Sequence, residues 1–219
     1  MSELPLVDRI EKRRFVGREF LLWLWFESEI FDETLRTRTR GDIGLWIEKR
    51  LVLSIAKEST RIVGERPAST REAKEALRLG KLPELAGLHL SLGEEEATFT
   101  LKAETLAIAG LSLPTVLGDG EVASESLAPA APPRRKKRGA SKADEDAAES
   151  DEAHEAFYER MRLAREVEEV IEGLYRDFLA LRLGDAWMRT VVPALRAWCA
   201  GKKVDADAYR AACRTPKKR

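Results

Sequence analysis

The chain has 219 residues, 38 basic and 38 acidic, with a formal net charge of zero, a length that suits one domain with an appendage or two small domains. Hydrophobic residues make up 44% of it, enough for a core, and charged residues 35%, above the ~25% usual for globular chains. Two cysteines, Cys199 and Cys213, are too few and too far apart for a zinc ribbon. Residues 1–14 lack an apolar signal core, so reduced thiols and a cytoplasmic location are expected. The longest apolar run, residues 20–26, falls far short of the ~20 residues that span a bilayer, and no membrane partner is expected.

The first expected element is a helix over residues 13–31. Val16, Phe20, Trp23 and Leu24 mark one face, and Leu21, Trp25 and Phe26 add a second apolar side, so the helix must be buried on more than one side. Glu27, Glu29, Asp32 and Glu33 gather where the helix dipole disfavours them. Either the helix stops soon after Phe26, or these carboxylates meet basic partners.

A strand region follows from Gly41 and Gly44. Residues 45–47 and 51–55 read as two halves of one long or bulged strand, and residues 60–64 as its short partner, ended by Pro67. Residues 69–81 form the best-specified helix: Ser69 as N-cap, Glu72 completing a capping box, an apolar stripe of Ala73, Ala76 and Leu77, and Gly80 as the stop. Two strands come next, over residues 85–92 and 97–103, joined by a polar hairpin of Gly93 and residues 94–96. Leu106, Ile108 and Leu111 form a last apolar segment before Pro114.

From about residue 118 large apolar side chains nearly vanish, which leaves too little burial to offset ordering entropy. A long helix is expected over residues 152–183, a second over 185–200 with a kink at Pro193, and a short one over 205–213. The fold class is therefore α+β. An antiparallel sheet packed with helices occupies residues 8–116, and a disordered Pro/Ala/charged linker occupies 117–150. A helical segment over 151–213 docks on the first domain, because its apolar stripe has no large core of its own to cover it. A basic tail covers 214–219.

Charge is segregated along the chain. Arg71, Lys74, Arg78 and Lys81 recur at helical spacing, as a phosphate-binding face or a solvated one. Arg134, Arg135, Lys136, Lys137 and Arg138 form a basic run, and Lys217, Lys218 and Arg219 close the chain. Such groups neutralise phosphates and give salt-dependent, sequence-independent affinity. The acidic stretch over 144–155 lies beside the run and would compete with DNA if it folded back on it. Trp23, Trp25 and Trp46 offer either stacking platforms or core. The carboxylates near the first helix show no convergence on a metal, and His89 and His154 stand apart. No cofactor-binding or catalytic signature is present, so a non-enzymatic binding protein without cofactor is the expectation.

The block over residues 14–29, Arg-Phe-Val-Gly-Arg-Glu-Phe-Leu-Leu-Trp-Leu-Trp-Phe-Glu-Ser-Glu, resembles the C-terminal half of bacterial recombination-associated RdgC proteins. The stretch from residue 69 through the paired strands to 113 looks similar too, as does the closing helix over 170–183 followed by Trp187 and Leu195. The resemblance implies a DNA-binding protein of recombination or replication, cytoplasmic and nucleoid-associated, binding double-stranded DNA and, as a second form, single strands. Family members are ring-shaped dimers that encircle duplex and restrain RecA filaments, which implies a homodimer here, or a second chain supplying the half that precedes the tryptophan-rich block. The exonuclease label sometimes given to the family finds no residues here. The alternative is a protein-interaction or dimerisation module without DNA binding.

Overall fold

The computed structural model describes residues 15–37, 40–113 and 145–213, with the side chains of residue 15 and of residues 145–156 left out of that description. Helix α1 (Phe15–Ile30) leads into strands β1 (Thr34–Thr37), β2 (Gly41–Ile55) and β3 (Glu58–Gly64), then α2 (Arg71–Arg78), and strands β4 (Leu82–Leu92), β5 (Glu95–Lys102) and β6 (Ile108–Ser112). Helices α3 (Glu145–Leu183), α4 (Val192–Cys199) and α5 (Ala206–Cys213) follow. The strands form one antiparallel sheet in the order β1-β2-β4-β5-β6, with β3 also on β2. β1 pairs with residues 41–44 of β2 and β3 with residues 49–55, end to end along the same edge. This is the α+β fold that the sequence pattern predicts.

One face of the sheet is dry. Ile43, Leu45, Ile47, Leu51 and Leu53 of β2, Ala86, Leu88 and Leu90 of β4, and Ala97, Phe99 and Leu101 of β5 join the apolar residues of the helices in a single core. α1 lies in the middle of that core: Phe20, Leu21, Leu24, Trp25 and Phe26 are at most 1% exposed. On its far side Phe20 and Trp23 meet Phe178 of α3 at 5.5 and 5.7 Å, and Trp25 and Phe26 meet Trp198 of α4 at 5.2 and 5.5 Å. The C-terminal helices thus pack on α1, which lies between them and the sheet, and that is why its sequence is apolar nearly all round.

Several boundaries depart from the sequence expectation. The end of α1 does not: it runs to Ile30, and of the two alternatives the carboxylates meet basic partners, Glu29 with Lys74 and Glu33 with Arg66 at 2.8 Å. β1 was not anticipated; four residues, of which only Leu35 is a large buried apolar side chain, carry too little alternation to announce a strand. The cap of α2 is Thr70 and not Ser69: Thr70 Oγ1 accepts from the Ala73 amide at 3.2 Å, while Ser69 closes a 3-10 turn started by Pro67. The hairpin loop is shorter than expected, since Leu92 pairs with Glu95. α3 begins at Glu145, inside the segment expected as linker; the rest of that segment and the basic tail lie outside the described residues. The helix expected over 185–200 is helical without a break over 185–199. Its irregularity falls at the expected proline: a π-helical turn, Trp187–Val191, comes just before Pro193, with Val191 and Val192 both in the right-handed helical region.

The two halves of β2 are one strand interrupted by a bulge. Ile47 pairs with Leu88 and Leu51 with Ala86, so Glu48, Lys49 and Arg50 stand opposite Gly87 alone. Lys49 takes φ +64°, and because the insertion adds two residues, the inward parity of Ile47 and Leu51 is kept. Gly87 is required by this crossing: a Cβ there would sit 2.4 Å from the Glu48 carbonyl oxygen. Gly87→Ala is expected to destabilise the fold by about 2 kcal/mol, measured by urea denaturation; an unchanged midpoint would show that the bulge yields freely.

Candidate nucleic-acid interface

The structure separates the four basic residues around α2. Lys74 turns inward: its ammonium bonds both Glu29 oxygens, at 2.7 and 2.5 Å, and lies 4.8 Å from the Trp25 ring and 4.0 Å from the Trp198 ring. Burial holds the Lys74 pKa below its ordinary value, and the Glu29 carboxylate opposes that shift. Arg78 reaches the Cys199 carbonyl of α4 at 3.4 Å and Glu75 at 3.4 Å. Lys81 lies past the helix, beyond Gly80 at φ +82°, and turns to Thr60 and Glu58 of β3 at 3.0 and 3.7 Å. Arg71 is exposed. Lys74, Arg78 and Lys81 each engage a neighbouring element, so the four do not form one shared phosphate-facing surface. The basic run over residues 134–138 and the tail over 217–219 lie outside the described residues.

Trp23 and Trp25 are core, at 4% and 1% exposed. Trp46 is not. It belongs to the second face of the sheet, most of whose residues are half-buried or exposed. Residues paired across neighbouring strands share a face, so the register places the side chains of that face. Arg61 of β3, Val52 of β2, Leu85 of β4 and Lys102 of β5 form one row; Trp46, His89 and Thr98 form another. Between them lies Arg50, opposite Val63. At ~4.8 Å per strand, Arg61 and Lys102 are separated by about 14 Å across the sheet.

The aromatic row is preorganised. The Trp46 and His89 rings stack at 4.0 Å with planes 14° apart, and His89 Nδ1 lies 2.8 Å from Glu48 Oε2. His89 Nε2 and Arg50 Nε are both buried without a hydrogen-bond partner. The two rings cover one face of each other and the His89 side chain is 13% exposed, so the half-buried Trp46 is the ring surface for a base, beside arginine and lysine as cations for phosphates. Glu48 and Glu96 flank this row, Glu48 2.8 Å from His89 Nδ1 and Glu96 3.5 Å from His89 Nε2, so the cationic row is the better phosphate contact. Sequence reasoning named Trp46 but not the residues beside it, because alternation identifies the outward residues of each strand but not which strands are neighbours.

The carboxylates of α1 are each engaged separately. Glu19 accepts from Arg182 at 2.7 Å, Glu29 from Lys74, Trp25 and Trp198, and Glu27 from Tyr209 at 2.5 Å. Among the described residues no three His, Cys, Asp or Glu side chains gather as metal ligands would, and no helix is long and apolar enough to cross a membrane. His154 lies where α3's side chains are not described. The chain matches no protein-family model, no curated protein and no solved structure.

Proposed function

We propose that the protein is a non-catalytic, sequence-independent DNA-binding protein, of the RdgC type that its tryptophan-rich block resembles, acting in recombination or replication at the bacterial nucleoid. The observation that carries this reading is the second face of the sheet, where Trp46 stacks on His89 and Arg50, Arg61 and Lys102 stand alongside. The basic run over 134–138 and the tail over 217–219 add phosphate contacts through counterion release. The stacked rings favour single strands or frayed duplex over intact duplex, in which bases are not exposed for stacking.

The test is fluorescence anisotropy with labelled single-stranded and duplex DNA at two salt concentrations, on the native chain and on Arg61→Glu/Lys102→Glu. Both residues are exposed, so the fold should tolerate the change. Native binding should fall steeply with salt, and the double variant should bind about tenfold or more weakly with a salt slope reduced by about two. Absence of binding at low salt, or an unaffected double variant, removes the reading.

A second reading rests on α3. Phe157, Tyr158 and Met161 are 57%, 69% and 56% exposed, an apolar patch of the kind that marks protein contacts. A protein-interaction module built on it, dimerising or engaging another chain, would be nearly insensitive to salt, the opposite of binding through phosphates.

A further inference from the structure

A cleft of about 730 Å³ opens between α1, β1, α3 and α5, away from the second sheet face and within the ~300–1,000 Å³ range of small-molecule sites. Its walls are apolar: Leu35 of β1, Leu174 and Leu181 of α3, and the Phe31 ring. Two lining residues keep their polar atoms away from it. The Trp23 indole nitrogen is buried. Arg36, between the buried Leu35 and Thr37, leaves β1 on the opposite sheet face and pairs there with Asp42 at 3.8 Å.

Two groups of opposite charge do line the cleft. The guanidinium of Arg210, on α5, lies 4.1 Å from the centre of the Phe31 ring and makes no ion pair among the described residues. Glu27 of α1, 8% exposed, gives its Oε1 to the Tyr209 hydroxyl at 2.5 Å. Its Oε2 is bonded by no described residue and is not among the buried oxygens left unpaired, so it faces the cleft that Glu27 lines. Burial lifts the Glu27 pKa to about 7, and the nearby Arg210 charge offsets this only in part. A carboxylate held up by desolvation gains from a cation brought to it, and a guanidinium without a carboxylate gains from an anion. Asp177, also on the wall, is already engaged.

We propose that this cleft binds a free α-amino acid with an apolar side chain, its ammonium on Glu27 Oε2, its carboxylate on Arg210 and its side chain against Leu35, Leu174 and Leu181. An acid and a base that are near one another without pairing match a ligand that carries both charges on one carbon. Either end of a peptide carries only one of the two charges, so the free amino acid is the occupant that satisfies both residues. Polar side chains are disfavoured, because the apolar walls offer them no partner. The site does not depend on the sheet-face reading, because the two share no residue.

The experiment is isothermal titration calorimetry of the full chain with L-leucine, L-isoleucine and L-phenylalanine to millimolar concentration, and with L-aspartate as the polar comparison. The leucine analogues that lack one charge, 3-methylbutan-1-amine and 4-methylpentanoate, separate the two contacts. At least one apolar amino acid should bind saturably and more tightly than L-aspartate, and both analogues should bind at least about tenfold more weakly than L-leucine. Glu27→Gln keeps an acceptor for Tyr209 and removes the charge; Arg210→Gln keeps a side chain beside Phe31 and removes the other charge. Each variant should weaken the amino acid by about tenfold. No saturable binding of any apolar amino acid, an analogue that binds as tightly as L-leucine, or native affinity in either variant overturns the proposal.

Discussion

Glu29→Ala is expected to lower the thermal midpoint by roughly 5–15 °C, at about 2–4 °C per kcal/mol for a chain of this size. Glu29 is the meeting point of three helices. Its Oε1 accepts from Trp25 Nε1 and Lys74, its Oε2 from Trp198 Nε1 and Lys74, the indole bonds each 2.7 Å long. Trp25 and Glu29 belong to α1, Lys74 to α2 and Trp198 to α4. Alanine removes every acceptor at once, leaving two indole N–H groups unpaired and an ammonium held between aromatic rings. Breaking a buried ion pair from one side costs ~3–5 kcal/mol. Because the Lys74 and Glu29 side chains keep 25% and 31% of their surface, water relieves part of this, and ~2–4 kcal/mol is the expected loss. Lys74→Met should cost less, since the carboxylate keeps both indole donors and the methionine keeps the contact with the rings. A Glu29→Ala midpoint within about 2 °C of the native one would show that the cluster carries little stability.

Glu27→Gln is expected to remove a pH dependence and to stabilise the protein above neutrality. Burial, offset in part by the Tyr209 hydroxyl, Trp23 and Arg210, raises the Glu27 pKa from 4.5 to about 7. Between these two values the folded protein holds a proton that the unfolded chain has released, so stability falls as pH rises from about 4.5 and levels off above about 7. The difference corresponds to about 3 kcal/mol. The amide of the substituted side chain does not titrate. The variant should therefore match the native protein in acid and exceed it by up to ~3 kcal/mol in mild alkali. Urea unfolding of both proteins at about pH 5 and about pH 8 decides it: parallel behaviour at the two values would mean that Glu27 is not ionised against a burial cost. Tyr209, pushed upward by the same burial and by the Glu27 charge, keeps its proton throughout.

Local pattern carried much of the architecture. The two-sided apolar run of α1 states that something covers it on both sides, and Phe178 and Trp198 do. The alternation of Phe99 and Leu101 against Thr98 and Thr100 identifies β5 and its dry face. The stripe of Ala73, Ala76 and Leu77 identifies α2, but the choice between Ser69 and Thr70 as cap did not lie in residue preference, since both side chains can cap. It was set by Pro67, which winds Ser69 into the preceding turn and leaves Thr70 extended. The helical spacing of Arg71, Lys74 and Arg78 likewise says where each side chain leaves the helix and nothing about what it meets.

What the sequence determined by itself was the set of elements, their apolar faces and the segregation of charge, because periodicity and capping act over a few residues. What only the tertiary structure decided was which elements became neighbours. That choice drew Lys74 away from solvent to Glu29, stacked His89 of β4 on Trp46 of β2, and closed Tyr209 of the last helix over Glu27 of the first. The reason is physical: a desolvated ammonium, a buried carboxyl or an indole N–H acquires its properties from the groups packed around it, and those arrive from distant parts of the chain.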